Sequence, residues 1–132
     1  MTKHLALSLL FAVAVLRTMP DALAQTYPDH PLRLVVPFAT GGTSDILARF
    51  VAPPLWAALG QPVVVDNRPG AGSNVGNEIV AKAAPDGYTL LMATPALASN
   101  QALYGKLNYD PVAGFAPVTL VAEIPIALVV HP

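Results

Sequence analysis

The sequence predicts an α/β domain built on a largely parallel sheet. Apolar runs of strand length recur at Leu32–Pro37, Pro62–Asp66 and Thr89–Ala93. Segments with helical spacing of apolar residues separate them, and turns rich in glycine or hydroxyl residues follow their carboxyl ends. Alternation of this kind implies parallel pairing with right-handed crossovers. Ligands of such sheets sit at the carboxyl ends of the strands, where both glycine loops and Thr94 fall.

Residues 1–24 read as a cleavable secretory signal peptide. Lys3 and His4 form a basic start, Leu5–Leu16 is apolar except for Ser8, and Ala22-Leu23-Ala24 is a small-x-small cleavage pattern behind Pro20. The apolar run is shorter than the roughly 20 residues that span a bilayer. No later run qualifies, so no stable membrane insertion is expected. The segment predicts an exported protein.

From residue 25 onward there are five basic residues (Arg33, Arg49, Arg68, Lys82, Lys106) and seven acidic ones, a net charge of −2. That balance argues against nucleic acid, which calls for a clustered basic face. There is no cysteine, so the core alone must hold the fold. A segment of this length buries one modest core.

Taken in order, the first strand is Leu32–Pro37. A helical stripe then runs from Asp45 to Leu59, with Pro53-Pro54 expected to kink it or split it into two short helices. Gly60 is a helix stop. After the second strand comes the glycine loop Asn67–Asn74, with Asn74 expected to cap a helix reaching about Ala84. Val75, Ile79, Val80 and Ala83 should face inward along it. Pro85-Asp86-Gly87 is a turn. Thr94–Tyr104 reads as a loop and short helix, and Lys106–Gly114 as turns. Two further strands are expected at Val118–Ala122 and Ile126–Val130. The last lies two residues from the chain's final residue, so the chain is expected to be the front piece of something longer.

The segment Phe38–Asp45 carries the strongest functional signal. A strand running through Gly41-Gly42 into a helix aims backbone N–H groups at one point, with the positive helix end behind them. That forms a receptor for an anion. The N–H groups of Ala39 to Thr43 and the hydroxyls of Thr40, Thr43 and Ser44 would make the cradle. A purely structural turn, with Thr43 or Ser44 as N-cap, carries equal weight. Asp45 stands too close for a highly charged phosphate and suits a carboxylate.

The second loop, Gly70-x-Gly72-x-x-x-Gly76, has the wrong spacing for a dinucleotide fingerprint and does not directly follow its strand. Turn and helix packing is the more natural role. Catalytic groupings are not evident. There is no nucleophile–base pair around Ser44, His30 lies among prolines, and no metal spacing occurs. Tyr104 and Tyr109 read as packing or loop residues. No enzymatic activity and no cofactor are expected.

Several motifs stand in fixed order: Pro31-Leu32-Arg33-Leu34-Val35-Val36-Pro37-Phe38, Gly41-Gly42 with Asp45 and Arg49, Gly60-Gln61-Pro62, Asn67-Arg68-Pro69-Gly70-Ala71-Gly72, Pro85-Asp86-Gly87-Tyr88, and Tyr109-Asp110-Pro111. Across residues 27–132 the chain resembles the substrate-binding receptors of tripartite tricarboxylate transporters, also called the Bug receptors. The resemblance implies a lobe of the periplasmic binding protein type II fold, incomplete here, with the second lobe missing. Residues 25–125 would be the first lobe and residues 126–132 the start of the crossover strand. It implies a small carboxylate ligand and, as possible partners, the membrane subunits of a transporter. Matched residue by residue, it marks Ala39, Thr40, Gly41, Gly42, Asp45 and Thr94 as ligand-binding, and the reading of the Phe38–Asp45 loop adds Phe38 and Thr43. Pro95 departs from the pattern, where a small polar residue is usual. The alternatives are a nucleotide-binding α/β enzyme fragment using the Gly70–Gly76 loop, and a truncated product without activity.

Overall fold

A computed structural model describes residues 27–125 and 127–131. The signal segment 1–24 lies outside them. The elements are β1 (Leu32–Val36), α1 (Thr43–Leu59), β2 (Val63–Asn67), a 3₁₀ turn (Ala71–Ser73), α2 (Asn74–Ala81), β3 (Thr89–Leu91) and α3 (Ala96–Tyr104). The strands pair in the order β2-β1-β3, and both pairings are parallel. The parallel α/β sheet is the one the alternation predicts.

Side chains of β1 alternate between two covered faces. Leu34 and Val36 pack with Ala48 of α1 and Met92, joined by Phe38, Leu47, Val63, Val65 and Leu90. Val35 and Pro37 point the other way and are also buried. On that side a Cβ on Gly76 of α2 would lie 2.7 Å from the Pro37 Cβ. The two helices therefore cover opposite faces, and β1 is apolar throughout except for Arg33, as expected of a strand covered on both sides. Arg33 pairs across the sheet with Asp66, its Nε 2.7 Å from Oδ2.

Helix α1 runs through Pro53 and Pro54 as one 17-residue helix, so the expected division does not occur. The two prolines leave the carbonyls of Arg49 and Phe50 without intrahelical donors. All four residues are exposed, while Ala48 and Ala52 anchor the buried side. Gly60 ends the helix as anticipated, at φ 74°, its N–H donating to the Trp56 carbonyl at 2.9 Å.

Helix α2 departs from the sequence reading in three ways, the first being that it stops at Ala81 and not near Ala84. Asn74 is not its cap. Ser73 holds that position in the left-handed region at φ 85°, and no side chain caps the helix. Val75 is 43% exposed, and Gly76 and Asn77 face inward instead. The contact at Pro37 explains the rotation. Only a residue without a Cβ fits there, so Gly76 fixes which face of α2 meets the sheet.

The expected strands at Val118–Ala122 and Ile126–Val130 are absent from the described residues, which run without regular structure from Phe115 onward. Val118 is 85% exposed and Leu128 97%. A strand is held by its ladder, and no described sheet edge pairs with these residues. Apolar runs alone did not decide the matter. No helix among the described residues is long and apolar enough to cross a membrane.

Replacing Gly76 with Ala should cost about 1–3 kcal/mol, because the new methyl meets backbone as well as side-chain atoms of Pro37. Urea unfolding reads this directly. An unchanged midpoint would mean that α2 does not sit this close to β1.

Candidate functional site

The order β2-β1-β3 places a reversal of strand order between β1 and β3. The crossover after β1 leads to one side of it, and β3 lies on the other. Open α/β sheets form their ligand crevice outside the carboxyl ends of such a strand pair. Two segments leave the sheet there. One is Pro37–Gly42, leading into α1. The other is Met92–Pro95, leading into α3.

Ala39, Thr40, Gly41, Gly42 and Thr43 are exposed on the first segment, while Phe38 is half-buried against the core. Gly41 turns the chain at φ 86°. Gly42, not Thr43 or Ser44, is the N-cap, and no side chain caps the helix. The N–H groups of Thr43, Ser44 and Asp45 therefore lack intrahelical acceptors and carry the positive end of the helix.

The Asp45 side chain does not face the opening. It is 2% exposed. Its Oδ2 accepts the Gly41 N–H at 2.8 Å, and its Oδ1 accepts Arg49 Nε at 3.0 Å. The hydrogen bond from Arg49, and next that from Gly41, lower its pKa from 3.8 to about 2. Arg49 Nη2 also donates to Asn67 Oδ1 at 3.1 Å, and Asn67 Nδ2 to the Phe38 carbonyl at 3.1 Å. The four side-chain contacts close a ring around the base of the loop.

On the second segment the Met92 N–H donates to the Val35 carbonyl at 2.9 Å, extending the β1–β3 ladder past Leu91. Thr94 follows two residues on, half-buried, and its carbonyl accepts the Leu97 N–H at 2.9 Å. Pro95 is the cap of α3 and brings no N–H. The sheet thus sets Phe38–Asp45 and Thr94 at neighbouring strand ends, as the sequence reading requires.

The second glycine loop is engaged by the protein itself. Gly72, at φ 62°, lies so close to the Tyr104 hydroxyl that a Cβ would stand 2.6 Å from it. Asn100 is buried and donates to the Gly72 carbonyl at 2.7 Å and to Asn74 Oδ1 at 2.8 Å. Tyr109 also donates to Asn74 Oδ1 at 2.7 Å, and Asn77 donates to Ser73 Oγ at 3.2 Å. Tyr104 and Tyr109 are packing and loop residues, as read. Asp86 closes its turn by accepting the Tyr88 N–H at 3.0 Å. The loop is a packing junction between α2 and α3, which removes the motif behind the nucleotide alternative.

His30 stacks on Tyr88 and contacts Asp29. Tyr88 accepts from the Arg33 N–H at the amino end of the sheet, so this cluster lies away from the crevice. No group of three or more metal-ligating side chains occurs among the described residues. A shallow depression of about 560 Å³ at the far end of α3, lined by Gln101, Lys106, Tyr109 and Asp110 among others, includes none of the crevice residues.

Sequence reasoning missed Arg49 and Asn67 as parts of the loop's support. The spacing of Asp45 and Arg49, four apart on one helix, could have signalled the pair. Nothing local marks Asn67.

The receptor family of the tripartite tricarboxylate transporters matches residues 47–132. The chain is 40% identical to protein BugT of Bordetella pertussis over 134 residues, covering all of this chain and 41% of that protein. A structure described as a periplasmic transporter superposes with a TM-score of 0.63 at 48% identity, over 65% of this chain and 29% of the other. A Rhodopseudomonas palustris protein solved with adipate gives 0.62 at 43% identity, and MatC from that organism, with bound malate, gives 0.56 at 39%; each covers 64% of this chain and 29% of the other. The chain spans about two fifths of the length of the curated relatives it matches.

The lowered pKa of Asp45 has a consequence for acid stability. A carboxylate titrating at about 2 in the fold and near 3.8 when unfolded stabilises the fold fully above pH 3.8. That contribution is lost as pH falls through the window from 3.8 towards 2. Asp45→Asn should flatten this part of the stability curve, leaving the shares of Asp29, Asp66, Glu78 and Asp110, whose pKa values are also lowered. Thermal melts of both proteins between pH 2 and pH 6 check it. Parallel curves would show that Asp45 is not held as described.

Proposed function

Since the chain belongs to the tripartite tricarboxylate transporter receptor family, we propose that it serves as a periplasmic solute receptor for a small carboxylate, without catalytic activity. Residues 1–24 act as the export signal, residues 25–125 form the first lobe, and residues 126–132 begin the crossover. The membrane subunits of a transporter are its partners, and neither nucleic acid nor a cofactor takes part.

The observation that carries this reading is the uncapped start of α1, which opens at the crevice between β1 and β3. One ligand carboxylate accepts N–H groups of Thr43 and Ser44, and the hydroxyls of Thr40 and Thr43 flank it. Phe38, Ala39, Gly41 and Gly42 form the wall, and Thr94 closes the β3 side. Asp45 shapes the loop from behind. The relatives solved with adipate and malate make a dicarboxylate the natural probe.

Three charge-assisted hydrogen bonds give about 4–9 kcal/mol before association costs. Association removes roughly 4–15 kcal/mol, and micromolar affinity needs about 8 kcal/mol net. This lobe on its own therefore holds a dicarboxylate at millimolar strength or weaker.

Weak binding of this kind is visible in an amide-resolved NMR titration with malate. The amides of Thr43, Ser44, Asp45 and Thr94 should shift together, and the uncharged diamide of malate should leave them in place. Shifts elsewhere, or equal shifts with the diamide, would overturn the reading.

A further inference from the structure

We infer that Arg49 and Asn67 are positioning residues that make the crevice loop fit for an anion, by cancelling the charge of Asp45 and pinning the loop at both ends. This rests on the carboxylate-receptor reading above. It adds two residues and a charge-balancing role which that reading does not require.

The loop leaves β1 at Phe38, whose carbonyl is held by Asn67 Nδ2. It returns at Gly41, whose N–H is held by Asp45 Oδ2. Arg49 joins these two anchors, reaching Asp45 with Nε and Asn67 with Nη2. One guanidinium thus ties α1 to the end of β2 across the mouth of the loop. Between the anchors, the backbone has only a long contact from the Gly42 N–H to the Ala39 carbonyl, at 3.4 Å. The exposed stretch Ala39–Gly42 takes its shape from the ring.

Charge gives the ring its second role. Asp45 sits in the first turn of α1, beneath the N–H groups that would receive a carboxylate. A negative side chain there steadies the helix but repels an arriving anion. Arg49 lies against it as an ion pair and cancels that repulsion. Lysine could restore the charge but not the fork, which reaches two partners at once. Glutamine could keep a hydrogen bond but not the charge.

The experiment compares Arg49→Gln, Arg49→Lys, Asn67→Ala and the double variant Asp45→Asn with Arg49→Gln. Two quantities are read: the Kd for malate by NMR titration, and hydrogen exchange at the Gly41 amide without ligand. Arg49 is 53% exposed in its side chain, so its variants should fold, and circular dichroism checks this. Arg49→Gln should weaken malate binding about tenfold. The double variant should recover most of that loss, because the uncancelled charge is gone. Asn67→Ala and Arg49→Lys should quicken Gly41 exchange. If the double variant binds no better than Arg49→Gln, the charge-balancing role is wrong. If Gly41 exchange is the same in every variant, the pinning role is wrong. If the unaltered protein binds no malate, the receptor reading and the charge role fall together, and exchange alone decides the pinning.

Discussion

Everything at the crevice depends on β1 being a strand with no free side. It pairs on both edges, its Leu34 and Val36 meet α1, and its Val35, with Pro37 just beyond it, faces the α2 layer. A segment so enclosed has one position and one register. The loop that follows inherits both, and so does the start of α1. Gly76 is the cost side of this enclosure: it gives up a side chain so that α2 can touch Pro37. Because β3 is hydrogen-bonded to the same strand, Thr94 is referenced to the same origin as Thr40 and Thr43.

The electrostatics of the crevice are a balance between parts of one helix turn. The unpaired N–H groups of Thr43, Ser44 and Asp45 attract an anion, and the Asp45 side chain repels one. The sequence alone presents these as competing, and a carboxylate ligand as the compromise. The structure separates them in space. The Asp45 carboxylate turns inward to Gly41 and Arg49, and the N–H groups are left to the opening. A net charge that looked like a constraint on the ligand becomes part of the scaffold.

Elements defined by local chemistry were legible in advance. β1, β2 and β3 fall within one or two residues of the apolar runs that announced them, and Gly60 ended its helix. What escaped was settled by contacts between distant residues. Pro53 and Pro54 stay helical on the exposed side of α1, while Ala48 and Ala52 hold its buried side. Val75 is outward because Gly76 must be inward. Asn74, read as a cap, instead accepts from Asn100 and Tyr109, 26 and 35 residues away. The ring around the loop needed Asn67, which no spacing rule links to Arg49. The apolar stretches after Phe115 failed differently, since composition suits a residue to a strand but only a partner makes one.

Two kinds of bond secure the elements around the sheet. Ion pairs occur on both faces: Asp45 with Arg49 under the crevice loop, and, on the Val35 face, Asp66 with Arg33 and Arg68. Behind the crevice, α2 and α3 are tied by neutral amides and hydroxyls of Ser73, Asn74, Asn77, Asn100 and Tyr109. Added salt screens the first kind and leaves the second almost untouched. The molecule therefore has a built-in inequality of response: ionic strength reaches the loop proposed to meet the ligand while the neutral junction between α2 and α3 stays fixed.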